Sequence, residues 1–275
     1  GALLPVIIRW RPLRTLASLE HKVLMGWFGK RKAEIQIAWT LLTRLPAGQL
    51  KGSAPALAEA SWAFPIGGLP AGLVLAGSYL GLVGVGLSSV LAAFIALGMG
   101  LFITGAIHED GLADCADGFG GGQTVQRKLE IMRDSQIGSY GMLGLFLITG
   151  MRIAALSSFE AVIQLLYLIV ALAISSRLVM VFYLVFLPAA RPDGLGQNAG
   201  ANGGRMAALY ASLLASPALV YLGFSAPLSL AGLILVAAIF AAIANRQIGG
   251  QTGDVCGGGQ ILSETAAWIL LTILL

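Results

Sequence analysis

Apolar residues gather in long blocks near 60–83, 87–107, 139–157, 161–187, 206–223 and 228–245. Each block is close to the roughly 20 residues that a membrane-crossing helix needs at about 1.5 Å of rise per residue. A seventh begins near Ser263 and runs to Leu275, and the stretch from Ile261 to Leu275 is short for a full crossing. The pattern predicts an all-α fold, a polytopic membrane helix bundle with about six to seven transmembrane helices.

The intervals between blocks fall into two classes. Gly84–Ser88, Ser157–Glu160 and Gly223–Pro227 are short and hold no Lys or Arg. The N-terminal region, 107–138, 188–205 and 246–262 hold nine, three, two and one basic residues. By the positive-inside rule the second class faces the cytoplasm. The rule therefore predicts that the acidic and basic intervals, and any active site they carry, lie on the cytoplasmic side of the membrane.

Composition supports the membrane reading. Of 275 residues, 57% are apolar and 11% charged, where a soluble domain carries about 25% charged residues. That balance excludes a soluble enzyme, a disordered tail, a disulfide scaffold and a nucleic-acid-binding module. The net charge of +4 is concentrated in residues 1–32, a basic amphipathic lead in which Arg9, Arg11, Arg14, Lys22, Lys30, Arg31 and Lys32 interleave with Trp10, Trp27 and Phe28. Such a segment suits an anionic lipid surface. Residues 33–275 form the integral membrane domain. Cys115 and Cys256 lack a CxxC spacing and read as packing residues.

All six aspartates, Asp110, Asp114, Asp117, Asp134, Asp193 and Asp254, lie in the intervals assigned to the cytoplasm. Four of them fall within 25 residues. In His108-Glu109-Asp110-Gly111-Leu112-Ala113-Asp114-Cys115-Ala116-Asp117-Gly118, the spacing of four and then three places Asp110, Asp114 and Asp117 on one helix face. Stacked like charges repel, and a hard divalent cation such as Mg²⁺ relieves the conflict with one or two carboxylates plus substrate phosphates. Gly111 and Gly118 offer close backbone approach. Arg127 and Arg133 place two guanidinium groups beside the acids, a combination that fits diphosphate chemistry. A second constellation, Arg246-Gln247-Ile248-Gly249-Gly250-Gln251-Thr252-Gly253-Asp254, joins another Arg and Asp to glycines on the same face. Arg152 and Arg177 lie within apolar blocks, where a charge is expensive and either functional or paired across the bundle. His108 is a candidate ligand, base or helix-end residue, and 188–205, with Asp193, Gln197 and Asn198, a candidate lid.

At these residues the chain resembles the cobalamin synthases, also called adenosylcobinamide-GDP ribazoletransferases. The likeness is carried by His108–Gly118, Leu129–Gly141, Arg246–Asp254 and the early Leu42-Thr43-Arg44-Leu45-Pro46, and runs from about residue 33 to the end. It implies a transferase that joins adenosylcobinamide-GDP to α-ribazole or its 5′-phosphate and releases GMP, with Mg²⁺ as the metal. Under that resemblance Asp110, Asp114 and Asp117 handle the metal and diphosphate, and either Asp134 or Asp254 is the base. Arg133 and Arg246 stabilise phosphate charge. Gly111, Gly118, Arg127, Arg152, Gly250, Thr252 and Gly253 bind substrate. Membrane lipid is the other expected partner, nucleic acid is not, and a homo-oligomer is left open. One alternative is a CDP-alcohol-type phosphotransferase, whose start Asp114-Cys-Ala-Asp117-Gly118 resembles. However, Gly121-Gly122 stands where that family has Ala-Arg. An aspartate-rich prenyltransferase lacks its paired motifs here. A transporter of an anionic substrate would use the intramembrane arginines, but the acids cluster at one face.

Overall fold

A computed structural model of the chain describes residues 13–50, 53–192 and 202–274. They form helices α1 (Leu13–Leu42), α2 (Leu57–Ala60), α3 (Phe64–Gly84), α4 (Ser89–Thr104), α5 (Ile107–Gly121), α6 (Val125–Ile131), α7 (Ser139–Ser158), α8 (Ile163–Phe186), α9 (Asn202–Ser225), α10 (Pro227–Ile248) and α11 (Gly253–Leu271). No strand occurs among the described residues. The all-α membrane bundle expected from the apolar blocks is what forms.

Five helical stretches are long and apolar enough to cross a membrane, and six if α4 and α5 together count as one bent span. The number sits at the low end of the expectation because two blocks behave differently. The block near 87–107 ends at a 91° bend between α4 and α5, built by Gly105 and Ala106, which adopt φ of 67° and 56°. Two consecutive left-handed residues cannot continue a helix. At Gly105 a side chain would also run into the Arg44 guanidinium. The C-terminal helix begins at Gly253, ten residues before the expected Ser263, so much of the interval read as a loop is helical.

α8 is the most buried span and packs on α3, α9 and α11. Its close fit to α3 depends on Gly68 and Gly72, since a β-carbon at Gly72 would lie 2.9 Å from Val170 Cα and one at Gly68 would meet the Ala173 carbonyl. This is the small-xxx-small packing expected where lipid removes the hydrophobic drive between helices. α1 runs without interruption across the boundary drawn at residue 32. It docks through Glu34, which is fully buried, pairs with Arg31 at 2.7 Å and accepts from the Trp62 indole at 2.6 Å. Arg9 and Arg11 of the basic lead lie outside the described residues.

The interior of the bundle is polar at one place. Glu264 of α11 accepts from Arg152 of α7 at 3.0 Å and from Arg177 of α8 at 2.7 Å. Ser176 and Gln260 each donate to its second oxygen at 2.7 Å. Arg152 also lies over the Trp268 ring at 4.2 Å, a cation–π contact. Three helices are thus tied by one carboxylate at sites 3–5% exposed. Removing one partner of a buried ion pair strands the other charge and costs about 3–5 kcal/mol, whereas apolar replacement of the whole set is far milder. We expect Glu264→Ala to lower thermal stability in detergent by that order. Glu130→Ala on exposed α6 should stay within about 0.5 kcal/mol, and Met at 152, 177 and 264 together should recover most of the loss.

Candidate active site at the crossing of two helices

α5 and α11 cross at glycines. A β-carbon at Gly111 would stand 2.7 Å from the Asp254 carbonyl oxygen, and β-carbons at Gly257 and Gly258 would lie 3.2 Å from the α5 backbone at Ile107 and Leu112. Only backbones without side chains come this near. The crossing carries Asp254, in the first turn of α11, to the acids of α5. Asp114 sits in the combined field of Asp254, Asp110 and Asp117, opposed by Arg191. Thr252 caps α11, accepting from Val255 N at 3.3 Å and donating to Asp254 Oδ2 at 3.2 Å. Burial raises the Asp254 pKa above the usual carboxylate value, and Asp110 adds to the rise while Arg191 and Thr252 oppose it.

Arg191 was absent from the expected site, and the backbone explains its arrival. Ala190 N donates to Gln251 O at 2.9 Å and Gln251 N to Pro188 O at 2.7 Å, stitching the segment after α8 to the one before α11. A side chain at Gly250 would collide with the Pro188 carbonyl. Arg191 is thereby held with Nη1 4.0 Å from Asp254 Oδ2, while Nη2 donates to Leu129 O at 2.9 Å. Its place just after an apolar block, on the charged side, was the available signal. The rest of that segment was read as a lid, and Asp193, Gln197 and Asn198 lie outside the described residues.

Several expected residues do other work. Asp117 takes Gly138 N at 2.7 Å and Gly141 N at 2.8 Å on its two oxygens, so it caps the start of α7. Gly118 packs on Met132 and the Lys128 carbonyl, Gly250 serves the close approach to Pro188, and Gly111 makes the helix contact while also lining the cavity described next. Thr252 is committed to its cap. Arg152 is held by Glu264 inside the bundle, the pairing that its burial required. Asp134, exposed, accepts from Gln136 N at 3.0 Å in a turn. Exposed Arg127 pairs with Glu130 at 3.1 Å. Arg246, also exposed, lies in the last turn of α10.

A cavity of about 280 Å³ opens at the crossing, with Asp110, Gly253 and Asp254 in its lining. Most of the remaining lining is apolar, from Leu41, Leu57, Phe64, Met180 and Leu184, and His108 also borders it. A second cavity of about 430 Å³ is lined by Arg191, Arg133, Gln126 and Glu130. Among the described residues, no three His, Cys, Asp or Glu side chains are grouped to hold a metal by themselves. Two free carboxylates, Asp110 and Asp114, on one helix face do fit the way Mg²⁺ is usually bound, by one or two carboxylates with phosphate oxygens completing the shell.

A family model described as cobalamin-5-phosphate synthase matches residues 34–272. An adenosylcobinamide-GDP ribazoletransferase of Bradyrhizobium diazoefficiens is 45% identical over 240 residues, covering 84% of this chain and 90% of that protein. Those of Mesorhizobium japonicum and Azorhizobium caulinodans are each 41% identical, over 88% and 85% of this chain and 93% of each relative. No solved structure matches the chain.

Two of the α5 acids, Asp117 and Asp114, should separate in a stability measurement. Asp117→Ala removes the α7 cap, and unfolding in detergent should show a loss of about 1–2 kcal/mol. Asp114→Asn removes a like charge from a crowded face and should leave stability unchanged or raise it by a few tenths of a kcal/mol.

Proposed function

This chain belongs to the cobalamin-5-phosphate synthase family, and we propose that the carboxylates at its helix crossing carry the reaction. The protein joins adenosylcobinamide-GDP to ribazole in cobalamin synthesis. A ribose hydroxyl of the acceptor attacks the phosphorus attached to cobinamide. The new oxygen–phosphorus bond forms as the bond to the GMP oxygen breaks, and the hydroxyl proton passes to a base. One observation carries the assignment of residues: Asp110 and Asp254, 144 positions apart in the chain, line the same 280 Å³ cavity.

Of the two candidate bases, Asp254 is the better placed. It borders that cavity and is partly buried, whereas Asp134 is exposed and its carboxylate serves a backbone turn. Arg191 stands beside Asp254 and faces the second cavity together with Arg133. The two guanidinium groups suit the diphosphate and the GMP that leaves, because phosphoryl transfer depends on positioning and charge neutralisation. Asp110 and Asp114 would hold Mg²⁺ with the diphosphate, and the ion would supply positive charge against the phosphate oxygens. We place this face on the cytoplasmic side of the bacterial inner membrane, a reading that the distribution of Lys and Arg supports. There the amphiphilic corrinoid can lie along the bilayer surface.

Purified protein in lipid nanodiscs should release GMP from adenosylcobinamide-GDP only with ribazole and Mg²⁺ present. Asp254→Asn should lower kcat by roughly 10²–10⁴-fold, the range for a lost general base. Arg191→Met should lower it by about 10²-fold, as when one donor to developing charge is removed. Release without ribazole, or full activity in Asp254→Asn, would overturn the assignment.

A further inference from the structure

The second cavity, of about 430 Å³, falls in the size range of ligand pockets. One wall is the α6 side, where Gln126, Glu130 and Arg133 follow at intervals of four and three and so share a face. All three are exposed, so a ligand from water can reach them. The facing wall is the segment after α8, with Arg191 and Pro192. The walls are fixed to each other, because Arg191 Nη2 donates to the Leu129 carbonyl at 2.9 Å, and α6 is docked on α5 through Met132 against Gly118. Arg191 also joins this cavity to the crossing, with Nη1 4.0 Å from Asp254 Oδ2.

The lining holds two kinds of polar group. Arg133 and Arg191 supply positive charge for phosphate oxygens. Glu130 and Gln126 supply a carboxylate and an amide. Glu130 Oε2 accepts from Arg127 at 3.1 Å and Oε1 from the Gln126 amide at 3.4 Å. An ionised carboxylate has about four acceptor sites, so half of its capacity stays open to a ligand. Seven positions separate Gln126 from Arg133, roughly 10 Å at the helical rise, which is of the order of the reach from phosphate to the far edge of the base in a nucleotide. Guanine alone among the common bases carries two adjacent N–H donors on that edge, N1–H and the 2-amino group. Adenine presents a lone pair at N1 and has no 2-amino group. Resting on the reaction read above, we propose that this cavity holds the guanosine of adenosylcobinamide-GDP, and that Glu130 selects guanine by accepting from N1–H and the 2-amino group. The Gln126 amide stands next to that carboxylate, where it can donate to O6. Leu129 and Pro192 offer apolar surface to the faces of the base, and Arg191 leads the diphosphate back to Asp254.

The test compares GMP with AMP in equilibrium binding to the full-length protein in nanodiscs, and adenosylcobinamide-GDP with its ADP counterpart in turnover. The unaltered protein should prefer guanine about tenfold or more in both measurements, because a site that hydrogen-bonds ligand N–H groups rejects an analogue lacking them. Glu130→Ala should cut that preference at least fivefold, through weaker binding of GMP and not of AMP, with KM for ribazole unchanged. A merely structural role of Glu130 would weaken both nucleotides alike. Binding needs no turnover, so a guanine preference in a protein that releases no GMP would support the site and defeat only the reaction. Equal affinity of the unaltered protein for GMP and AMP, or an undiminished preference in Glu130→Ala, would each overturn the proposal.

Discussion

The whole site depends on one steric condition: α5 and α11 must touch backbone to backbone. Gly111, Gly257 and Gly258 provide the contact, and it brings together carboxylates from distant parts of the chain. Glycine is a poor helix former, costing about 1 kcal/mol relative to alanine at an interior position. α11 nonetheless opens with Gly253 and carries Gly257, Gly258 and Gly259. Tertiary packing overrides propensity here because no other residue lets the two axes approach. A crowd of acids at the crossing is electrostatically unfavourable by itself. Arg191 offsets part of the repulsion, and a cation arriving with a diphosphate would offset more.

About two turns further along α11, the ion-paired interior holds that crossing in place. Glu264 binds Arg152 and Arg177, and so joins α11 to α7 and α8, while Arg177 reaches His108 on α5. The network fixes the inner end of the crossing and the Pro188–Gln251 backbone bonds fix the outer end. Between them lies the cavity, lined by Asp110, Asp254 and His108 among apolar side chains.

The spans were legible in the sequence because about 20 apolar residues in lipid leave the backbone no choice but helix. The grouping of acids on one α5 face was legible from its four-and-three spacing. That spacing could not distinguish a ligand from a cap, since the amides that Asp117 satisfies belong to Gly138 and Gly141, brought back by the α6–α7 turn. The glycine run before Ile261 looked like a loop for the same reason that it packs so well as a helix. Arg191 was hidden because its position follows from two backbone hydrogen bonds to a segment some sixty residues away in sequence. Glu264 did leave a signal: a lone acid in an apolar block needs a partner, and Arg152 and Arg177 were the available cations.

The dependence of the site on backbone contact is tested most directly at Gly111. Alanine there places a β-carbon 2.7 Å from the Asp254 carbonyl oxygen, while at Gly77 of α3 a β-carbon meets nothing within 4 Å. GMP release should therefore be lost by a hundredfold or more in Gly111→Ala, with the protein still extracted as a folded species, and kept in Gly77→Ala. Gly111→Ala turning over at the unaltered rate would contradict the account.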